Sequence, residues 1–309
     1  MKVVVLGTAA GGGFPQWNCG CPNCADARRG VPGLGSRLQS GLAVSAGDGC
    51  WFLINASPDI ARQIERFLRP RADLPGPRDS PIAGVLLTNA DLDHCLGLFA
   101  LREGPALTVW CPDSTRRALV EGLRLHDVLG SFCGVTWVSS PFVWQPLGPG
   151  LEVRTIALRG ADPPRYTANA SGQVSEEPQA VGYLFRANPD AGIIGVFPDV
   201  AKLDEELLTH LRSCSRVFFD GTFWTADEMV RLGFSDRDAA AMGHVPVSGP
   251  GGSLPDLAAL PGHVSYVHVN NTNPMLRADS PERRAVEEAG LSVADDGAEF
   301  LLGGGFPTS

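Results

Sequence analysis

The sequence predicts an α/β protein, a single domain over residues 1–309 in which helices cover mixed β-sheets. Three observations predict it. Short apolar runs rich in valine, isoleucine and phenylalanine recur along the chain, each closed by Gly, Pro, Asn or Asp. Amphipathic stretches at helical spacing lie between them. No linker or break in composition divides the 309 residues, a length that one large domain accommodates.

Composition narrows the function. Hydrophobic residues make up 44% of the chain and charged residues 19%, enough for a substantial core. The net charge of −9 repels nucleic acid and anionic lipid, so neither is expected as a partner. No apolar run approaches a membrane span. The N-terminal run Met1–Gly7 is too short for a signal peptide, and the cytoplasm is the expected compartment. Of eight cysteines, three cluster and five are scattered, a usage that favours thiolates and metal over disulfides.

Each element has a local reason. Residues 1–7 form a first strand. The turn Gly7-Thr8-Ala9-Ala10-Gly11-Gly12-Gly13 lacks the Gly-x-Gly-x-x-Gly spacing of a dinucleotide site, and Pro15 interrupts any helix after it. It reads as a tight turn with close backbone approach. Strands at 40–45 and 51–55 form a hairpin through Gly47-Asp48-Gly49. Ser57 is expected to cap a helix with Pro58 at its first position and Ile60, Ile64, Phe67 and Leu68 as its stripe. Pro70 to Pro81 is a Pro-rich surface loop. A buried strand at 84–88 follows, then a helix expected to start at Cys95. Residues 107–111 are a strand and 112–119 a helix; 135–138 and 151–158 are strands. The polar segment 159–179 carries Pro163-Pro164, Gly172 and Pro178, and predicts a lid or a disordered tract. Strands at 181–187 and 192–197 join through a turn at Asn188–Gly192. Leu203, Leu207, Leu208 and Leu211 mark a helix, and 216–219 a buried strand that ends at Asp220. The strand 264–269 runs into His268-Val269-Asn270-Asn271-Thr272-Asn273-Pro274. Ser280-Pro281 opens the last helix, stopped near Gly290, and 298–302 is a closing strand.

Two stretches carry chemistry. Thr88-Asn89-Ala90-Asp91-Leu92-Asp93-His94 stands between a buried strand and a helix, where α/β folds place their sites. Asp93 and His94 are both metal-ligand types, although the same residues also fit a strand end with an Asp-rich helix cap. Cys19-Gly20-Cys21-Pro22-Asn23-Cys24 brings three thiolates within six residues. That spacing can wrap one zinc ion, which prefers soft sulfur and tetrahedral geometry; free thiols or an oxidised close pair are the alternatives. His126, His210 and His263 belong to no cluster, and Cys50, Cys95, Cys111, Cys133 and Cys214 read as core thiols.

The heptapeptide resembles the His-x-His-x-Asp-His signature of the metallo-β-lactamase superfamily. Asn89 and Asp91 replace its first two histidines, while Asp93 and His94 keep its last two ligands. Asn55 stands where the superfamily often has an Asp. Asp199 resembles its metal-bridging Asp, and His268 its last histidine ligand. Asp220-Gly221-Thr222-Phe223 and Gly243-His244 resemble a pattern of its phosphodiester-cleaving members; the mid-chain histidine has no counterpart in 151–160. Ala9-Ala10-Gly11-Gly12-Gly13-Phe14-Pro15-Gln16-Trp17-Asn18-Cys19 and the 268–274 stretch are similar to the coenzyme PQQ synthesis protein B family.

The resemblance implies an αββα sandwich of two mixed sheets, with its site at one edge between them. It implies an iron(II) ion held by Asp93, His94 and His268, with Asn89, Asp91, Asp199, Asp220 and His244 supporting the metal or the substrate. Two imidazoles and one carboxylate with open positions suit non-haem iron(II) and dioxygen, and loss of the first metal's histidines argues against two-metal hydrolysis. The implied reaction is hydroxylation of the tyrosine of a Glu–Tyr precursor during synthesis of pyrroloquinoline quinone (PQQ). A structural zinc at Cys19, Cys21 and Cys24 would take its fourth ligand from the position of Asn271, or else from a water or a substrate group. Expected partners are that substrate or a PQQ precursor, other proteins of the pathway, and a second copy of the chain. The rival readings are a non-catalytic PQQ carrier and a residual metallohydrolase.

Overall fold

The computed structural model describes residues 1–68, 76, 79–167, 177–188 and 192–302. Fourteen strands among these residues form two sheets of seven. In chain order they are β1 (Lys2–Gly7), β2 (Gly41–Ser45), β3 (Trp51–Ile54), β4 (Ile82–Leu86), β5 (Leu107–Cys111), β6 (Val135–Ser139), β7 (Gln145–Gly148), β8 (Leu151–Leu158), β9 (Ala180–Arg186), β10 (Ile193–Phe197), β11 (Cys214–Asp220), β12 (His263–Val267), β13 (Ser292–Val293) and β14 (Glu299–Leu301). The first sheet runs β14-β1-β2-β3-β4-β5-β6 and the second β13-β12-β11-β10-β9-β8-β7. Both are mixed. β1, β2 and β3 pair antiparallel, whereas β3, β4, β5 and β6 pair parallel. In the second sheet β7 to β10 pair antiparallel and β10 to β13 parallel.

Side-chain alternation explains the layers. In β1, Val3 and Val5 enter the core between the sheets, while Val4 and Leu6 enter the core under the helices of the first sheet. β11 behaves alike from the other side: Phe218 joins the core between the sheets, and Val217 and Phe219 the core under the second sheet's helices. A strand buried on both faces reads as an unbroken apolar run, as Val3-Val4-Val5-Leu6 does. Each such side chain contributes about 1.5–3 kcal/mol by leaving water. The result is the expected αββα sandwich of two mixed sheets.

Several local expectations need correction. The helix after the central strand starts at Leu92, three residues earlier than expected, so Asp93 and His94 stand in its first turn. It tightens into a 3-10 helix, Leu96–Glu103, because Gly97 lies against the 56–57 backbone: its N–H reaches Ala56 O at 2.8 Å, and a Cβ there would sit 2.1 Å from Ser57 O. Ser57 does not cap its helix, which begins at Ile60. Pro58 and Asp59 form a turn instead, with Asp59 drawn aside to accept from Gln39 N at 2.9 Å. A helix at Pro22–Arg28, capped by Cys21 with proline in its first turn, was not expected. Cys50 is exposed and Cys133 half-buried rather than core; Cys95, Cys111 and Cys214 are buried. Most of the Pro70–Pro81 loop, residues 168–176 of the expected lid and residues 189–191 of the expected turn lie outside the described residues. No helix among the described residues is long and apolar enough to cross a membrane.

Candidate metal centre

The carboxyl ends of the parallel strands β4, β10, β11 and β12 meet at one edge of the sandwich, where open α/β sheets gather their chemistry. β4 leads to Asn89 and Asp91, and on to Asp93 and His94 in the helix Leu92–Cys95. Asp199 follows β10, Asp220 ends β11, and His268 follows β12. The N-terminal glycine loop packs beside them: Ala10 N donates to Val269 O at 3.0 Å, and Val269 N to Thr8 O at 2.8 Å. Gly11 lies so close that an added Cβ would sit 3.1 Å from Asp93 Oδ2. Two non-glycine residues adopt left-handed backbone here, Asn55 (φ 64°) and His268 (φ 55°), a conformation that only surrounding structure can hold. Asn55 is pinned by Thr88, whose N–H it accepts at 2.9 Å and whose hydroxyl it meets at 2.9 Å.

Hydrogen bonds set the tautomer of both imidazoles. His94 Nδ1 is 2.9 Å from Asn89 Oδ1 and 3.2 Å from Asp199 Oδ2, both acceptors, so Nδ1 carries the proton. His94 Nε2 is left with a lone pair, fully buried and without a hydrogen-bond partner, 3.8 Å from Asp93 Oδ2. His268 is oriented in the same way. Thr222 Oγ1 donates to the buried carboxylate of Asp220 at 2.6 Å and accepts from His268 Nδ1 at 2.9 Å. His268 Nε2 then faces Asp93 Oδ2 at 3.2 Å. The ligand atoms of Asp93, His94 and His268 lie within 4.8 Å of one another. A buried orphan nitrogen costs about 1–3 kcal/mol, and a cation between these atoms would satisfy it. The donor set fits a non-haem iron(II) site with open positions.

Without a cation, ion pairing holds the cluster together. Burial alone would raise the Asp93 carboxyl, but the imidazoles of His94 and His268 hold it well below the usual carboxylate range. Burial opposes a proton on His268, yet Asp199 and Asp93 push its imidazole up to about 10. Asp199 is itself lowered, because the three imidazoles around it outweigh burial.

The supporting residues divide by contact. Asn89 Nδ2 donates to Asp199 Oδ2 at 2.7 Å and to Asp91 Oδ2 at 2.9 Å, so the residue in place of a superfamily histidine ties two carboxylates to His94. Asp199 Oδ1 is buried and lacks a hydrogen-bond partner; Asp199, His244 and His268 form a second group within 4.8 Å. Asp220 is fully buried and accepts from Val200 N, Thr222 N and His244 Nδ1 at 2.7–2.9 Å. It positions neighbours and cannot touch a substrate. Burial opposes protonation of His244, but Asp220 raises it, and its ring stacks on His268 with centroids 5.6 Å apart. Sequence reasoning missed Thr222 as a site residue, although the Asp220–Phe223 pattern contained it. The glycine turn was read as a close backbone approach, but the sequence did not show that Gly11 makes it against Asp93.

The site opens into a cleft of about 780 Å³ lined by Gln16, Asp91, Asp93, His244, Arg165 and Arg237, among others. The described part of the 159–179 segment forms one wall. Its short turn Arg165–Thr167 is tied down by Tyr166 Oη, which donates to Ala90 O at 2.6 Å.

The cysteine cluster lies behind this site. Cys21 and Cys24 are buried and Cys19 half-buried. Backbone N–H groups of Cys21 and Cys24 point at the sulfurs of Cys19 and Cys21, each at 3.4 Å. The amide of Asn271 faces all three sulfurs, at 3.0, 3.6 and 3.5 Å from Cys19, Cys21 and Cys24. Turned over, it would present its oxygen at the same place. Burial pushes the Cys21 thiol up to about 12, so without a cation that thiol stays protonated. Three sulfurs around one point fit tetrahedral zinc with Asn271 in the fourth direction.

The chain matches known proteins along almost its whole length. Residues 50–268 match the model of the beta-lactamase superfamily domain. Coenzyme PQQ synthesis protein B of Ruegeria pomeroyi is 41% identical, and that of Ectopseudomonas mendocina 38%; each comparison covers 98% of this chain and all of the relative. The crystal structure of Zn(2+)-bound PqqB from Methylobacterium extorquens is 37% identical, with a TM-score of 0.86 over 97% of this chain and 99% of that one. A diphosphatase of the PhnP family shares the fold at 18% identity and a TM-score of 0.64. Full-length relatedness of this order, on the same two-sheet architecture, shows that the chain belongs to the coenzyme PQQ synthesis protein B family within the beta-lactamase superfamily.

Proposed function

We propose that the protein acts in PQQ synthesis as an iron(II)-dependent enzyme that uses dioxygen to hydroxylate the tyrosine of a Glu–Tyr precursor. The relatives' names support the pathway. The observation that carries the chemistry is the buried, unpartnered Nε2 of His94, aimed with His268 Nε2 at Asp93. Asp93, His94 and His268 would hold the iron. When bound, iron(II) would supply open coordination positions for dioxygen; carried through the catechol to the quinone level, the tyrosine itself gives all four electrons, so that one dioxygen leaves one added oxygen and one water. The protein's part is orientation: Asn89 and Thr222 keep a proton on each Nδ1 and so direct each Nε2. Asp199 braces Asn89, Asp220 braces Thr222 and His244, and the cleft admits the substrate beside Asp91, Asp93 and His244. Cys19, Cys21 and Cys24 with Asn271 would hold a structural zinc.

Residues 1–309 are read as one domain, because β14, the last strand among the described residues, pairs with β1 at the edge of the first sheet. Eight free thiols fit a reducing cytoplasm. The described residues 161–165 and 179 of the expected lid wall the cleft. The cluster Asp199, His244 and His268 favours a metallohydrolase as the second reading. Against it, Asn89 and Asp91 stand where the superfamily's first two metal-binding histidines would be. Anaerobic loading with iron(II), then exposure of the Glu–Tyr compound to dioxygen, tests the proposal: one added oxygen by mass analysis is expected. Equal conversion by zinc-loaded, iron-free protein would favour the hydrolase, and PQQ binding without oxygen uptake would favour the carrier.

A further inference from the structure

We propose that Arg165 and Arg237 are the carboxylate-recognition pair of the cleft, which selects small acidic compounds bearing two or more carboxylates. The proposal rests on reading this cleft as the substrate site. Arg165 and Arg237 are the two cationic side chains among the described residues that line it. They come from different elements. Arg165 opens the turn anchored through Tyr166 to Ala90. Arg237 lies on the segment that runs on to His244, held by Arg237 N donating to Ser235 Oγ at 3.0 Å and Ala239 N to Ala226 O at 2.8 Å.

Neither guanidinium has a carboxylate partner among the described residues. Many other arginines of the chain are engaged: Arg37 with Asp295, Arg117 with Glu177, Arg186 with Glu152 and Arg277 with Asp26. Asp162 also lines the cleft and pairs with neither. Among the described residues these two guanidinium groups lack a carboxylate partner and line the same cleft as Asp91, Asp93 and Asp199, on a protein of net charge −9. Such a field repels an anionic substrate unless cations at the mouth offset it. The planar guanidinium fork suits carboxylates two hydrogen bonds at a time. A Glu–Tyr unit, with a side-chain and a terminal carboxylate, is a member of the class.

The test uses full-length protein loaded with iron(II) without dioxygen, titrated calorimetrically with Glu–Tyr dipeptide and separately with glutarate. Arg165→Gln and Arg237→Gln are each expected to weaken the dipeptide about 10–100-fold, with Arg→Lys recovering part of the loss. Arg62→Gln with Arg66→Gln removes the same charge from a groove elsewhere, and should change affinity less than about twofold if local contacts rather than net charge decide. A double Gln variant that binds the dipeptide as tightly as the parent overturns the proposal, as does a parent that binds neither probe. Glutarate binding that depends on both arginines, without oxygenation of the dipeptide under air, supports the pair and rejects the hydroxylase. Oxygenation with an unchanged KM in both variants does the reverse.

Discussion

Two candidate metal clusters share the segment 268–273 and differ in how their last direction is filled. Each offers three side chains within reach of one ion. Around the cysteines that direction is blocked by the amide of Asn271, and the donors are soft sulfur in a buried pocket. Around Asp93, His94 and His268 it opens to a cleft, and the donors are two nitrogens and one carboxylate oxygen. Ligand count alone does not separate structure from chemistry; access does. The segment 268–273 serves both, with His268 at one end and Asn271 three residues on.

Substitutions can break or sharpen this contrast. The largest effect is expected from His268→Ala, which should lower oxygen uptake more than about 100-fold, beyond the loss typical of an outer partner, while zinc by metal analysis stays near one per chain. Retained uptake would remove His268 from the open cluster. Replacing Cys19, Cys21 and Cys24 together by Ser should abolish that zinc and lower Tm by at least ~5 °C, and full zinc occupancy in this variant would end the assignment. Asn89→Ala touches no ligand atom, yet should weaken iron(II) about 10–100-fold in competition with a chelator, because His94 loses its best Nδ1 acceptor; an unchanged affinity would show that Thr88 and Asp199 suffice.

The smallest effect concerns neither cluster. Burial pushes the Glu228 carboxyl up from 4.5 to about 7, between Thr272 Oγ1 and Trp224 N. Between those values the folded protein keeps a proton that the unfolded chain releases, so stability falls as pH rises through this window. Glu228→Gln should remove that slope and gain of order 1–3 kcal/mol at pH 8, read from urea unfolding at pH 5 and pH 8. An equal slope in both proteins would place the pH dependence elsewhere.

The strands were legible because burial on both faces leaves unbroken apolar runs such as Val3–Leu6 and Val217–Phe219. The helix start at Leu92 was not, because its position depends on the 56–57 backbone, which His94 O and Gly97 N bond across the fold. The Pro22–Arg28 helix is too short to show a period. At the site, Asp93 and His94 were legible as neighbours in sequence. Asp199, Asp220, His244 and His268 came only through family resemblance, since nothing local tells that four strand ends converge. The roles of Thr222 and Asn89 as proton holders needed distances. Arg165 and Arg237 needed the cleft, for an unpaired arginine looks like any other in a sequence.

The contact between the cysteines and Asn271 has a consequence for how the chain is made. Cys19 and Asn271 are 252 positions apart, so a zinc ion shared by them would clip nearly the whole polypeptide into one loop. Closing so long a loop is entropically costly, and contacts of high sequence separation form late. Zinc would therefore seal a protein already folded. A chelator should do most harm to newly synthesised chains, before the 268–273 segment has docked, and least to the mature protein.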